Sequence, residues 1–263
     1  FRSTGAISFG LVNIPVQLYT AVKDRDIHFH QICKRDKSRV RQRLVCEGDQ
    51  DEVDRRQLLK GFEIAPDQYV VFEKDELEQL APEKSSAIEV LDFVDIEKID
   101  PVYYEKPYYL APKNAAKPYK LLLEAMKDSG KIAIAKFVMR DKEYLAALRP
   151  LENVICLELM HFADEVVEAE SLGDIEAVNR KVKINKAELD MAKQLIDTLY
   201  TDFKPENYRN EYRQRVQHAI DAKAQGQQVV TGPSTAPEAT KVADLMSTLE
   251  HSLEQAKKRK QPA

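Results

Sequence analysis

Tryptophan is absent from this chain, and glycine and cysteine are scarce, at 8 and 3 of 263 residues. Each shortage excludes something. The phosphate-cradling loops G-x-G-x-x-G and G-x4-G-K-S/T do not occur. Neither do G-x-S-x-G or H-E-x-x-H, the signatures of common hydrolases. The three cysteines, Cys33, Cys46 and Cys156, build no disulfide framework and suit a reducing, cytoplasmic setting. No apolar run approaches the roughly 20 residues that span a bilayer. The opening FRSTGAISFG lacks the charged-then-apolar layout of a secretory signal, so no membrane partner is expected. Without tryptophan a single-strand stacking platform has little to build on. Tyr103-Tyr104 and Tyr108-Tyr109 therefore read as core or interface residues. These absences point away from an enzyme with a cofactor and toward a binding protein.

What is present is segregated charge. The formal net charge is −4, yet residues 33–43 (CKRDKSRVRQR) hold six bases against one acid. Residues 73–105 hold eleven acids against three lysines, and residues 162–179 hold six acids and no base. Such separation focuses positive potential in one place. Inside the basic run, Arg39, Arg41 and Arg43 alternate with Val40, Gln42 and Leu44. On a β-strand this spacing puts three guanidinium groups in one row. Guanidinium forks bind phosphate oxygens in bidentate fashion and keep their charge at any relevant pH. Lys34, Arg35, Lys37 and Lys60 extend the strip, and Lys136 is added from a later strand. The bland reading is a solvated strand face with carboxylates across from it. The phosphate reading is preferred because three like charges in a row repel unless an anion meets them.

The first 110 residues are dense in short apolar, β-branched runs, the pattern of a barrel or sandwich. Residues 6–22 read as one bent or bulged strand, interrupted by Gly10 and Pro15. Strands are expected at 27–33 and 39–46, joined by Asp36-Lys37-Ser38, with an exposed acidic loop over 47–54. Further strands fit 62–65, 68–72, 86–94, 102–110, 131–140 and 151–160. A helix over 117–129 is closed by Gly130. From 185 the pattern turns helical. Asn185 caps a stripe of Leu189, Leu195, Ile196 and Leu199. Pro205 opens a second helix bearing Tyr208, Tyr212, Val216 and Ile220. Residues 226–237 have linker composition. A last amphipathic segment ends in Lys257-Lys258-Arg259-Lys260, a basic arm that would add salt-sensitive affinity for DNA. The two helices cannot bury both stripes alone, and no internal repeat is evident. The fold class is α+β.

His28, His30, Cys33 and Cys46 offer four metal-ligand types in the pattern H-x-H-x2-C-x12-C. His30 and Cys33 differ in strand parity, however, and no C-x2-C knuckle exists, so no metal is assigned. A metal-dependent phosphate hydrolase built on these histidines, and a scaffold for RNA or an acidic protein, are the competing functional classes.

Several segments together resemble the bacterial Ku proteins. They are GAISFGLVNIPVQLYTAV (5–22), LLKGFEI (58–64), QYVVF (68–72), 83–112, GKIAIAKFVMRDKEYLAALRP (130–150) and HFADEV (161–166). The resemblance runs in order over roughly residues 1 to 225. Where many of that family have a tryptophan before the first strand, this chain has Phe1-Arg2-Ser3-Thr4. Where some carry C-x2-C, it has Cys46-Glu47-Gly48-Asp49. The resemblance implies a ring-shaped homodimer that threads onto double-stranded DNA ends in non-homologous end joining. It implies binding without sequence preference, no catalysis, and recruitment of an ATP-dependent DNA repair ligase. The expected organisation is a β-barrel core with a DNA bridge over 1–180 and a dimer-embracing helical arm over 181–226. A flexible linker over 227–237 and a basic extension over 238–263 follow. On this reading the basic strip lines the channel, and the two helical stripes pack across the dimer.

Overall fold

The computed structural model describes residues 2–80, 87–139, 142–175, 184–227 and 245–260. Linker residues 228–237, Val242, and the side chains of Arg259 and Lys260 lie outside what is described. The chain forms two compact units. Residues 1–25 and 30–167 make the first, and residues 26–29 and 168–263 the second.

The first unit is a closed seven-stranded barrel. Its strands are β1 (Arg2–Phe9), β2 (Val12–Thr20), β5 (Ala87–Asp95), β6 (Tyr104–Pro112), β7 (Lys131–Met139), β8 (Lys142–Leu151) and β9 (Val154–Met160). They follow the order β1-β2-β6-β9-β8-β7-β5. A parallel pairing of β5 with β1 closes the circle, with Ile7 opposite Ile88. Closure removes the unpaired strand edges that an open sheet would expose.

Residues 6–22 are not one bent strand. β1 and β2 form a hairpin in which Phe9 faces Val12 across a two-residue turn. Gly10 takes φ +56 there, a left-handed value that tight hairpin turns require and glycine adopts without penalty. β8, unassigned from sequence, pairs with both β7 and β9.

Inward-facing Ile7, Ile14, Val16, Leu110, Ala135, Leu148, Ile155 and Leu157 fill the core. Helix α1 (Lys74–Leu80) lies between β2 and β5 in the chain, and helix α2 (Ala116–Ser129) adds Tyr119, Leu122, Leu123 and Met126 to the core. Gly130, at φ +65, ends α2 as expected. β9 is buried on both sides because its outer face is covered too. Ile132, Ala147 and Met160 form a second cluster beneath Ile99, Tyr103 and Tyr104.

Two polar features sit in this apolar frame. The Tyr119 hydroxyl donates to the Leu110 carbonyl at 2.5 Å and accepts from the Ile155 N–H at 2.7 Å. Leu110 and Ile155 face each other in the β6–β9 pairing, so one phenol completes the ladder where the two strands end. On the outer face, Arg149 donates through Nε and Nη2 to Glu158 Oε1 at 2.9 and 2.7 Å. Cys156 Sγ lies 3.4 Å from the same oxygen. Burial first, then the Glu158 carboxylate, push the Cys156 thiol up to about 12.

The second unit is helical. Helix α3 (Lys186–Leu199) starts at Asn185, whose side chain accepts from the Ala187 N–H at 3.0 Å. Pro205 opens a short 3-10 turn (Pro205–Asn207), not the long helix. Helix α4 (Glu211–Ala224) starts later, capped by Asn210. Tyr208 thus lies ahead of α4, and its ring stacks on Phe203 at 5.6 Å. Helix α5 (Leu245–Lys260) packs along α3 and buries Leu253 and Ala256.

Two outcomes follow from the barrel interior. Tyr119→Phe leaves two buried backbone groups without partners and should lower stability by about 2–3 kcal/mol, read from denaturant midpoints at unchanged slope. Thiol alkylation of the native protein should modify exposed Cys46 and spare buried Cys156 until the barrel unfolds. Mass mapping of labelled peptides with increasing denaturant checks this.

Candidate nucleic-acid interface

The basic run lies in the long insert between β2 and β5 (residues 21–86). No regular strand forms over 27–33 or 39–46. The expected arginine strand is replaced by two successive turns, each closed by an isolated bridge, Ile32 to Arg39 and Val45 to Glu52. In the first turn the Cys33 N–H donates to the Ser38 carbonyl at 2.8 Å, and the Lys37 N–H to the Cys33 carbonyl at 3.0 Å. In the second, the Cys46 N–H donates to the Asp51 carbonyl at 2.9 Å, and the Gln50 N–H to the Cys46 carbonyl at 2.9 Å.

The likeness extends to side chains and dihedrals. Asp36 Oδ1 accepts from the Ser38 N–H at 3.0 Å, and Asp49 Oδ1 from the Asp51 N–H at 3.1 Å. Lys37 and Gln50 hold φ +60 and +62. The chain therefore does contain a repeat, C-x2-D-x-S/D, thirteen positions apart. It escaped the sequence reading because only Cys, Asp and the following Val (Val40 and Val53) coincide, and the charges that dominate each copy are opposite. The bonds from the Ser38 N–H and hydroxyl, and from the Cys33 thiol, hold the Asp36 carboxyl below the usual carboxylate range. Among the described residues, no three His, Cys, Asp or Glu side chains gather as a metal site needs.

The two turns are electrically opposed. The first carries Lys34, Arg35 and Lys37 at its tip, and the second Glu47, Asp49 and Asp51. Lys34, Arg35, Lys37, Arg39, Arg41 and Arg43 are all exposed. Arg43 is not waiting for an outside anion, because its Nη1 meets Glu52 Oε2 at 2.9 Å. The three arginines are thus two open guanidinium groups and one engaged one. Arg55 and Arg56, missed from sequence behind the acidic loop, add two exposed cations on a 3-10 turn capped by Asp54. Lys60 begins β3 (Lys60–Ala65) and is exposed.

Lys136 stands apart from the strip. It sits on the barrel wall, 3.1 Å from Glu143 and 5.9 Å from the centre of the Phe162 ring. Lys257 and Lys258 are exposed on α5, in the other unit. Of the helical stripe, Leu189, Ile196, Leu199, Tyr208 and Tyr212 remain exposed, and Leu195, Val216 and Ile220 are half-buried. Tyr212 and Val216, with Arg213 and Asn210, line a cleft with residues Asp26–Phe29 of the same chain. The short segment of the insert that precedes the basic run is therefore part of the helical unit.

A closed barrel with helices, interrupted by a cation-rich insert, defines the class. The family model described as the Ku70/Ku80 beta-barrel domain matches residues 8–191. Curated relatives agree. A protein named "Non-homologous end joining protein Ku" from Desulfitobacterium hafniense is 40% identical, over 98% of this chain and 88% of its own. Its namesake in Bacillus subtilis is 36% identical, over 97% and 81%. A longer namesake in Frankia casuarinae is 42% identical over 96% of this chain, which spans 63% of that protein. The chain belongs to the Ku family.

The split between open and engaged cations has a measurable consequence. On an immobilised polyanion such as heparin, Arg39→Gln and Arg41→Gln should each lower the salt needed for elution. Arg43→Gln should lower it less, since Glu52 already offsets that charge, and Lys136→Gln should leave it nearly unchanged.

Proposed function

We propose that the chain is a sequence-independent binder of double-stranded DNA ends in non-homologous end joining, acting as a ring-shaped homodimer that threads onto the duplex. The observation that carries this reading is the array of exposed cations on an insert held at both ends by a Ku-family barrel. Lys34, Arg35, Lys37, Arg39 and Arg41 are exposed and, unlike Arg43, pair with no carboxylate among the described residues. They suit a phosphate backbone, which fixes position on DNA without conveying sequence. The two basic and acidic turns themselves form neither a helix nor a regular strand pair of the kind that reads base edges in the major groove. Lys257 and Lys258 would supply an accessory contact outside the ring.

Exposed apolar surface supports the dimer. Ile196 is 66% and Leu199 57% exposed in the single chain, an arrangement that water tolerates poorly unless a partner covers it. A two-fold homodimer covers the same surface on both copies at once. Joining broken strands also needs phosphodiester chemistry. An ATP-dependent repair ligase recruited to the bound end would supply it, the chain itself acting by protecting and presenting that end.

Threading is tested by topology. Linear duplex should be retarded in native gels, and a covalently closed circle of the same sequence should not. Equal binding to both would overturn the ring. Binding to linear duplex should fall steeply with salt, by about 10³-fold or more between 50 and 200 mM for six or more phosphate contacts. Equal competition by single-stranded RNA would favour the scaffold reading instead.

A further inference from the structure

Between β5 and β6 the chain makes two 3-10 turns, Ile96–Lys98 and Pro101–Tyr103. Ile99 and Tyr103 from this stretch pack on the outer cluster of Ile132, Ala147 and Met160. A cavity of about 540 Å³ opens beside them, walled by both turns and by Tyr104, Arg149 and Glu158. All of it belongs to the barrel unit. A cavity of that volume suits a small molecule.

Strand register brings the polar side chains there. Tyr104 pairs with Met160 but Lys106 with Leu159, so Glu105 is the extra residue of a β-bulge. Bulges re-aim neighbouring side chains. Arg149 faces Cys156 across the β8–β9 ladder, and Glu158 stands two positions on, on the same face. Glu158 Oε1 accepts from Arg149 Nε and Nη2 and lies near Cys156 Sγ. Glu158 Oε2 and Arg149 Nη1 are left uncommitted among the described residues. The Tyr104 hydroxyl is buried and likewise has no partner among them. Burial first, then the Glu158 carboxylate, push this phenol upward against the opposing pull of Arg149. It therefore keeps its proton at neutral pH and is available as a donor.

These groups select by charge and by pattern. Arg149 and Glu158 offset each other, and Glu97 on the cavity wall adds a negative charge. Phosphates and carboxylates are disfavoured, which sets this cavity apart from the cation-rich insert. A cation would be repelled by the guanidinium. A neutral ligand remains. Tyr104 and Arg149 offer donors beside one acceptor, Glu158. A primary carboxamide is the converse, with a carbonyl oxygen that accepts two hydrogen bonds and an NH₂ that donates. Ile96, Ile99 and Pro101 give an apolar wall to the carbon body that carries it.

We infer that the cavity beside β6, β8 and β9 binds a small neutral molecule bearing a carboxamide on an apolar ring or chain, the carbonyl accepting from Tyr104 and the NH₂ donating to Glu158. The site is additional to DNA-end binding and does not depend on it. A buried donor with no partner is costly, and such a ligand would supply the partner.

The test uses full-length protein, benzamide as the probe and ligand-observed saturation-transfer NMR. Benzamide should bind, and benzoate, the same ring with a carboxylate, should bind about 10-fold or more weakly. Tyr104→Phe should weaken benzamide by about 5–10-fold, and Arg39→Gln, in the basic insert, should leave it unchanged. Without ligand, Tyr104→Phe should melt at or above the wild-type temperature, because its hydroxyl has no bond to lose. No benzamide binding, equal binding of benzoate, or indifference to Tyr104→Phe would each overturn the site. So would a Tyr104→Phe protein that melts well below wild type, since an ordered water would then already satisfy the hydroxyl.

Discussion

The parallel pairing of β1 with β5 is the constraint on which the rest depends. β1 has β2 on one side and β5 on the other, so closure fixes those two strands about 10 Å apart. The insert leaves the barrel at the end of β2 and returns at the start of β5. Both ends of a long, highly charged segment are thereby held on one rigid wall. The entropy of closing so long a loop grows only slowly with its length. A wall that holds itself together through its apolar core can therefore carry an insert that buries little. That division explains why the barrel interior tolerates so few polar groups and satisfies them so fully, as at Tyr119, while the insert carries almost every exposed cation of the proposed DNA surface.

Within the insert, the repeated turn separates geometry from charge. Both copies use the same Cys carbonyl and Asp carboxylate acceptors and the same left-handed residue. One tip is basic and the other acidic. An acidic turn beside a strip proposed to bind phosphate looks wasteful until Arg43 and Glu52 are considered. Their pairing ties the mouth of the second turn to the basic run, at a fully hydrated surface where such a pair contributes little to stability. Its effect is on placement. On the proposed reading the acidic tip would keep phosphates away from one end of the strip and leave Arg39 and Arg41 as the open positions. A chain of net charge −4 can meet a polyanion on these terms, since only the surface that touches the duplex has to be positive.

How much of this was legible in the sequence follows from which periodicities survive folding. β5, β6, β7 and β9 were visible as β-branched runs between turn residues, and α2 by its closing glycine. β8 was missed because KEYLAALRPL is rich in leucine and alanine and ends near a proline. Its two faces are both covered, so no polar alternation marks it. The β1–β2 turn was hidden by Gly10-Leu11, which lacks the Asn-Gly or Asp-Gly signature that usually announces a hairpin. The arginine alternation was real in composition but did not make a strand. With no neighbouring strand long enough to pair, the segment took turn geometry, and local Asp-to-backbone bonds at Asp36 and Asp49 won over a ladder. The family resemblance rests on residue identities, in 5–22 and 130–150 as elsewhere, and was unaffected by where their strands were taken to begin and end.

The structure also divides into what is finished within one chain and what is not. In the barrel unit, Tyr104 alone has a buried side-chain polar atom without a hydrogen-bond partner among the described residues. The hairpin that β3 forms with β4 (Gln68–Phe72) and the helical stripe are the reverse, with large apolar side chains in water. When a scaffold is self-sufficient and its appendages are not, the order of the appendages becomes a property of assembly and follows mass action. On the proposed reading this links two events that a rigid monomer would keep separate: covering the helical stripe and closing a ring. A chain in isolation would then hold its cations on a loosely supported segment and bind polyanions weakly and without topology. Only the assembled pair would present them on a surface stiff enough to distinguish a DNA end from a closed circle.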